Sequence, residues 1–439
     1  MTTSAEVRGW AAGLDGVVAR VAPRFGRAEP RRRVGAYLRG LLAPVGRKNG
    51  WQLAEAAGDA TPDGVQEFLS RARWDADAVR DDLRAYVVEH LADPGAVLVL
   101  DETGFLKKGT KSAGVQRQYT GTAGRIENAQ VGVFLGYAGQ HGRALVDRAL
   151  YVPDTWARDD ARRREARVPA DVVLVTKPKQ GLAMLERARA ADVPFSWVAG
   201  DSVYGADSAI RRWAERHRCG YVMAVTSGQR LGQRPVTTWV EGLPADAWHR
   251  LSAGDGAKGP RLYDWAHLPY NGAAKGLACA LLVRRSISAP AEVAFYLTHA
   301  PDGTGLAELV RVAGARWSIE SLFEQAKGEV GLDQYEVRSW VGWHRHVTLS
   351  MFALAYLSVV RRQAEQSAEQ GAVGGCGPGK PPSGPAAAHG SRGQAAHRGA
   401  GRQAATTARR HPTLVSLATT PPATRQTRPL APANTKALR

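Results

Sequence analysis

Two aspartates stand directly behind short apolar runs: Val97-Leu98-Val99-Leu100 leads into Asp101, and Trp197-Val198-Ala199-Gly200 leads into Asp201. Runs of this length read as buried β-strands, so each carboxylate should emerge at a strand's C-terminal end, the edge of an α/β sheet where ligands collect. Two carboxylates brought together repel unless a cation neutralises them. Oxygen-only donors suit hard divalent ions, Mg²⁺ or Mn²⁺. Taken singly, an aspartate after a strand is commonly a turn former or a helix cap. The pair says more, because a third acid follows on a late helix. Glu320, Glu324 and Glu329 all fall on that helix, with Arg316 four residues before Glu320 and Lys327 seven after it. Helical periodicity puts Arg316, Glu320, Glu324 and Lys327 on one stripe and does not choose among the acids. An Arg–Glu pair four residues apart is by itself more often a surface ion pair.

The elements that must position these residues fall into three regions. Residues 1–93 read as helical. Between residues 20 and 48, Glu29 is the only acid among nine bases. A helix near Gly50–Ala57, the turn Gly58-Asp59-Ala60, and a second helix opened by Thr61-Pro62 and striped by Val65, Phe68 and Leu69 follow. Helix, turn and helix beside a basic segment fit a DNA-reading motif, although an ordinary helical hairpin has the same pattern.

Residues 94–363 alternate strands and helices. Strands are expected at Ala96–Leu100, Val131–Tyr137, Arg143–Val152, Phe195–Ala199 and Tyr221–Val225, with helices at about 180–191 and 206–217. A Pro-, Gly- and Trp-marked stretch runs to about residue 276, strands are expected to resume at Gly276–Val283 and Glu292–Thr298, and about 226–290 has room for an insertion. The late helix runs from about Gly305 to Val330, and another occupies Trp343–Arg362. Residues 370–439 contain no Asp, Glu, Ile, Phe, Tyr or Trp. Such a segment buries too little apolar surface to offset its ordering entropy, so 364–439 is expected to be a disordered basic tail. Its abrupt onset also fits a frameshift.

The formal charge is +18, from 59 Lys+Arg against 41 Asp+Glu. The tail holds ten of those bases and two of the acids, so the rest of the chain is basic too. A polyanionic partner, nucleic acid first, is implied. No apolar run reaches membrane-spanning length and the N-terminus lacks a secretory pattern, so no membrane association and a cytoplasmic, nucleoid-associated location are expected. Cys219, Cys279 and Cys376 are far apart and form no CxxC pair, which argues against a zinc site or disulfide framework.

The order strand, Asp, hairpin, helix, strand, Asp, helix, late Glu-bearing helix resembles the ribonuclease-H-like core of DDE transposases from bacterial insertion sequences. One branch of that family carries Tyr-x2-Arg-x3-Glu-x6-Lys around its third carboxylate. Arg316-x3-Glu320-x6-Lys327 fits it, with Ala313 where the tyrosine would stand. The segments Asp101-Glu102-Thr103-Gly104, Lys107-Lys108-Gly109, Arg117-Gln118-Tyr119 and Gly200-Asp201-Ser202-Val203-Tyr204-Gly205 are similar to its motifs, and the likeness spans roughly residues 30–360. The resemblance selects Glu320 as the third acid. It implies an α/β fold, a mixed sheet flanked by helices with a β-rich insertion and a helical N-terminal domain.

The resemblance further implies two Mg²⁺ (or Mn²⁺) ions held by Asp101, Asp201 and Glu320, with Asp101 bridging. It implies cleavage of double-stranded DNA at transposon terminal inverted repeats, strand transfer into target DNA, and a dimer on DNA. Arg316 and Lys327 would clamp phosphates near the scissile bond. Lys107, Lys108, Arg117 and Arg125, expected in the loop after the first strand, are weaker candidates for the same task. Trp239, Trp248 and Trp265 in the insertion are candidates to stack on a flipped base, although each taken alone suits the insertion's own core better. Two other readings stand beside this one: a ribonuclease-H-like nuclease without strand transfer, and an inactive DNA-binding remnant of a transposase.

Overall fold

The computed structural model describes residues 4–256, 259–274 and 276–374. Five helices come first: α1 (Ser4–Val21), α2 (Ala28–Leu42), α3 (Gly50–Ala56), α4 (Asp63–Ser70) and α5 (Ala76–Leu91). The cap of α4 is Pro62, one residue later than the Thr61-Pro62 pattern suggested, and the Thr61 hydroxyl donates to Asp63 instead. Phe25, Phe68 and Trp74 meet as an aromatic cluster, with Phe68 and Trp74 stacked at 5.2 Å.

Strands β1 (Val97–Leu106), β2 (Gln116–Thr120), β3 (Arg125–Gly139) and β4 (Gly142–Leu150) follow. After them come α6 (Asp154–Ala157), α7 (Asp160–Glu165), α8 (Lys177–Ala190), β5 (Trp197–Gly200), α9 (Ser202–Gly205), α10 (Ser208–Arg216) and β6 (Gly220–Val225). The next stretch holds a two-residue hairpin, β7 (Arg230–Leu231) with β8 (Arg234–Pro235), then β9 (His249–Gly256), β10 (Gly259–Ala274), β11 (Leu277–Arg285) and β12 (Val293–Pro301). Helices α11 (Leu306–Gly328) and α12 (Trp340–Gly374) end the described chain.

The sheet has ten strands in the order β2-β3-β1-β5-β6-β12-β11-β10-β9, with β4 also paired to β3. Strands β1, β3 and β4 run antiparallel to their neighbours in the hairpins, while β1, β5 and β6 are mutually parallel. This α/β arrangement, a mixed sheet flanked by helices, is the ribonuclease-H-like core the motifs implied. The stretch after β6 is β-rich as expected; β7 and β8 pair only with each other, while β9 to β12 continue the main sheet, because β12 pairs antiparallel along the open edge of β6 from Phe295↔Val225 to His299↔Tyr221.

Two sequence expectations change. Strand β1 does not stop at Asp101: it runs through the polar Asp-Glu-Thr-Gly segment to Leu106, paired throughout with β3. Membership of a strand is decided by the backbone ladder, which an apolar run reports only in part. The last helix extends past Arg362 through Gly374, so the start of the region expected to lack structure is helical. The remainder of that tail, with Cys376, lies outside the described residues. No helix among the described residues is long and apolar enough to cross a membrane.

The N-terminal helices are tied to the body through α12 and β4. Arg345 of α12 donates to the carbonyls of Leu69, Ala72 and Trp74, capping the C-terminal end of α4. Helix α5 meets β4 through buried charge: Arg148, 1% exposed, binds Asp77 at 2.7 Å.

Candidate active site

The registers of β1 and β5 place the two aspartates side by side. The parallel pairing ends at Leu100↔Gly200, so Asp101 and Asp201 are the next residues on adjacent strands. Side chains alternate along β1. Leu100 packs on Gly181 of α8, and Glu102 bonds Lys177 of α8 and Tyr204 of α9. Asp101 between them therefore faces the other side of the sheet, where α11 lies.

Their electrostatics fit a pair of acids held close. Burial, with the charge of Asp201 and Glu102 added, pushes the Asp101 carboxyl up to about 7, against the backbone N–H of Glu102 that donates to it. Asp201 is raised as well, first by burial and then by Glu102, while its Oδ1 accepts the backbone N–H groups of Val203 and Tyr204 and caps α9. The helix-cap role that an aspartate after a strand commonly plays is thus real for Asp201, and it orients the side chain. A site that raises two neighbouring acids is one that gains from a cation.

Helix α11 brings the third group. Arg316 reaches Glu320 at 3.1 Å, one helical turn apart, and its charge lowers both Asp101 and Asp201. Glu320 is half exposed. Among the described residues no three acids, histidines or cysteines converge closely enough to hold one metal ion. The structure therefore brings Asp101 and Asp201 together and leaves Glu320 on Arg316. Glu324 is exposed one turn further on, Glu329 caps the end of the helix, and Ala313 is buried.

The basic residues divide. The Lys327 ammonium donates to the Thr103 hydroxyl (2.8 Å), the Thr122 hydroxyl (3.0 Å) and the Gly104 carbonyl (3.2 Å). Those bonds account for all three of its hydrogens, so here it ties α11 to β1 and to the turn before β3. Lys107 lies 3.5 Å over the Tyr335 ring, and burial lowers it to about 8. It is a packed side chain directly after β1. Lys108 and Arg117 are exposed, and Arg125 is exposed beside Glu127. Arg117 and Arg125 sit on β2 and β3, paired strands where a loop was expected.

The tryptophans divide too. Trp265 is fully buried and donates to Leu251, so it packs the β-rich stretch and presents no face for a base. Trp248 is half-buried under the Arg285 guanidinium at 3.9 Å. Trp239 is half-buried against Tyr270, and its indole N–H has no partner among the described residues.

Sequence reasoning missed Glu102, which accepts from Lys177 and from the Tyr204 hydroxyl, both at 2.7 Å. The only sequence signal was its place beside Asp101.

The position of Glu320 depends on how closely α11 approaches β9. Gly314 packs on the backbone of Ala253, and a methyl group there would overlap the Ala253 carbonyl. Gly314→Ala should destabilise the fold by about 1–3 kcal/mol. It should also lower any activity of the site by up to about a hundredfold, since a shift of α11 displaces Arg316 and Glu320. Wild-type melting and wild-type turnover in that variant would show that the close approach is dispensable.

A family model described as DDE superfamily endonuclease matches residues 20–244, just over half the chain. The match includes Asp101 and Asp201 and ends before Glu320. The chain is also 28% identical over 168 residues to a protein of Microchaete diplosiphon named as a probable transposase for insertion sequence element IS701. That similarity covers 38% of this chain and 41% of the relative.

Proposed function

This chain belongs to the DDE superfamily endonuclease family, and from that premise we propose that it is a transposase that cuts double-stranded DNA at the ends of an insertion sequence and joins them to target DNA. The observation that carries the reading is the pair of half-buried aspartates, Asp101 within β1 and Asp201 directly after β5, both raised first by burial and both near the helix that bears Arg316 and Glu320.

The donor set fits divalent cations such as Mg²⁺ or Mn²⁺: carboxylate oxygens only, with the Asp101 and Asp201 carboxyls both raised by burial and by neighbouring acids. Asp101 and Asp201 would hold the ions, and Glu320 would complete the set. Two ions bound there would activate a water or a 3′-hydroxyl and stabilise the leaving oxygen of the phosphodiester. Glu320 must give up Arg316 to join them, which frees the Arg316 guanidinium to take a phosphate oxygen. The Asp201 side chain is kept in place by α9, and Glu102 is kept away from the metal face by Lys177 and Tyr204. Lys327 fixes α11 against β1, so that the acids of both elements stay in register. Lys108, Arg117 and Arg125 are exposed enough to meet the DNA backbone. Trp239 and Trp248 remain the aromatic candidates for contact with an unstacked base. Joining two ends calls for two copies of the chain on the DNA.

The test is incubation of the purified chain with Mg²⁺ and DNA carrying the inverted repeats that flank its element. Nicking at the repeat ends, followed by joined products with target DNA, is the expected result. Nicking without joined products would favour the plain nuclease. Binding with neither would favour the inactive remnant.

A further inference from the structure

On the opposite side of the sheet from Asp101, a crevice of about 680 Å³ opens between α10, the β7–β8 hairpin and strands β6, β11 and β12. Its rim is basic: Arg211, Arg216, Arg218 and Arg230 line it. Among the described residues, none of the four forms an ion pair with a carboxylate, although Arg211 donates to the Gly205 carbonyl and Arg230 to that of Gln233. One acid, Glu215, reaches the lining, and it accepts the Tyr221 hydroxyl at 3.0 Å.

The floor adds an independent observation. His299 is 6% exposed, stacks on Tyr221 with ring centres 5.4 Å apart, and lines the crevice with no partner for its Nδ1. A buried polar atom without a partner among the described residues is costly; this Nδ1 is covered from solvent, so the ring closes the floor and the arginines are the groups an occupant meets. Four guanidinium groups around such a floor select an anion. Arginine forks match phosphate oxygens, while the Tyr221 and Tyr270 rings give the cavity walls.

We propose that this crevice is a second DNA site, which takes the phosphodiester backbone of duplex DNA away from the bond that is cut or joined at the carboxylates. The inference rests on the reading of the chain as an enzyme that joins two DNA segments. The bond to be joined must itself reach the carboxylates, and a site on the α10 face would hold a more distant stretch of backbone.

The experiment is equilibrium binding of the full chain to a labelled duplex lacking the element's ends, across a range of NaCl concentrations. Wild type is compared with Arg216→Ala/Arg218→Ala/Arg230→Ala and with a control, Arg71→Ala/Arg158→Ala/Arg164→Ala, drawn from exposed arginines elsewhere. Each lost phosphate contact removes roughly 0.9 from the slope of log affinity against log salt. The crevice variant should thus lose about 2–3 from that slope, and the control less than about 1. The milder Arg216→Gln should lose about 1. Equal slopes for the crevice variant and the control overturn the proposal. So does uptake of inorganic phosphate by the wild-type crevice when the DNA slopes are equal, which would mark a site for small phosphates. A wild-type chain that shows the expected slopes but cuts no DNA would sink the transposase reading and leave the crevice standing.

Discussion

Asp101→Asn and Asp201→Asn should each fold and bind DNA as wild type does, and each should lose the proposed Mg²⁺-dependent cleavage by at least about a thousandfold. The substitution keeps size and shape and removes one negative charge. What disappears is the charge that binds the cation, so the loss should appear in turnover while DNA affinity holds. Glu320→Gln should lose a comparable amount, and the exposed Glu324→Gln should stay within a few-fold of wild type.

Stability gives the same prediction a second readout. In metal-free buffer the folded protein holds the Asp101 carboxyl at about 7, above the usual carboxylate value of 3.8. A raised acid costs stability as it ionises. Wild type should therefore lose stability relative to Asp101→Asn between about pH 4 and 7 and keep that deficit above it. Melting curves at pH 4 and pH 8 check this. An Asn variant that cleaves normally, or that melts well below wild type at pH 8, would remove Asp101 from the role assigned to it.

The second large effect is on folding. Asp147 of β4 is 1% exposed and accepts from Arg187 at 2.8 Å, with Arg80 and Arg84 of α5 each at 3.7 Å. Its Oδ1 also accepts the backbone N–H of Arg148. One buried carboxylate thus compensates guanidinium groups from two helices, α5 and α8. Asp147→Ala leaves Arg80 and Arg84 buried with Asp81 as a half-exposed partner and Asp77 beside Arg80. Breaking a buried pair from one side costs about 3–5 kcal/mol, against a net stability of order 5–15 kcal/mol. The melting temperature should fall by roughly 10 °C. Glu67→Ala, which removes an exposed pair with Arg71 at 3.9 Å, should cost under about 1 kcal/mol. Equal melting of the two variants would mean that the cluster contributes no more than a surface pair.

Much of the core was legible in the sequence because its strands are buried on both faces and announce themselves as apolar runs. The strands β4, β5 and β6 and the long α11 lie where the pattern put them, to within a few residues, while β3 begins earlier, at Arg125 where Val131 was expected. Strand β2 and the second half of β1 were not legible. Gln116–Thr120 and Glu102–Leu106 are polar or mixed, and only their pairing with β3 makes them strands. The same limit applied to individual side chains. Lys107 and Lys108 are adjacent and alike in sequence, yet one lies on a tyrosine ring and the other in solvent. Three tryptophans of the β-rich stretch looked equivalent, and burial separates Trp265 from the other two.

The sequence by itself determined which residues can do chemistry here: two aspartates behind apolar strands, and an Arg-Glu-Lys stripe on a late helix. Both are local patterns, readable from the periods of strand and helix. Tertiary structure alone decided that Asp101 and Asp201 are neighbours, since that depends on β1 pairing parallel with β5 across 100 residues of chain. It also decided that Glu102 turns away toward Lys177, that Arg316 occupies Glu320, and that His299, stacked on Tyr221, floors a basic crevice on the far face. Those are facts of packing and of charge in a low-dielectric interior, set by groups distant in sequence, and no local pattern encodes them.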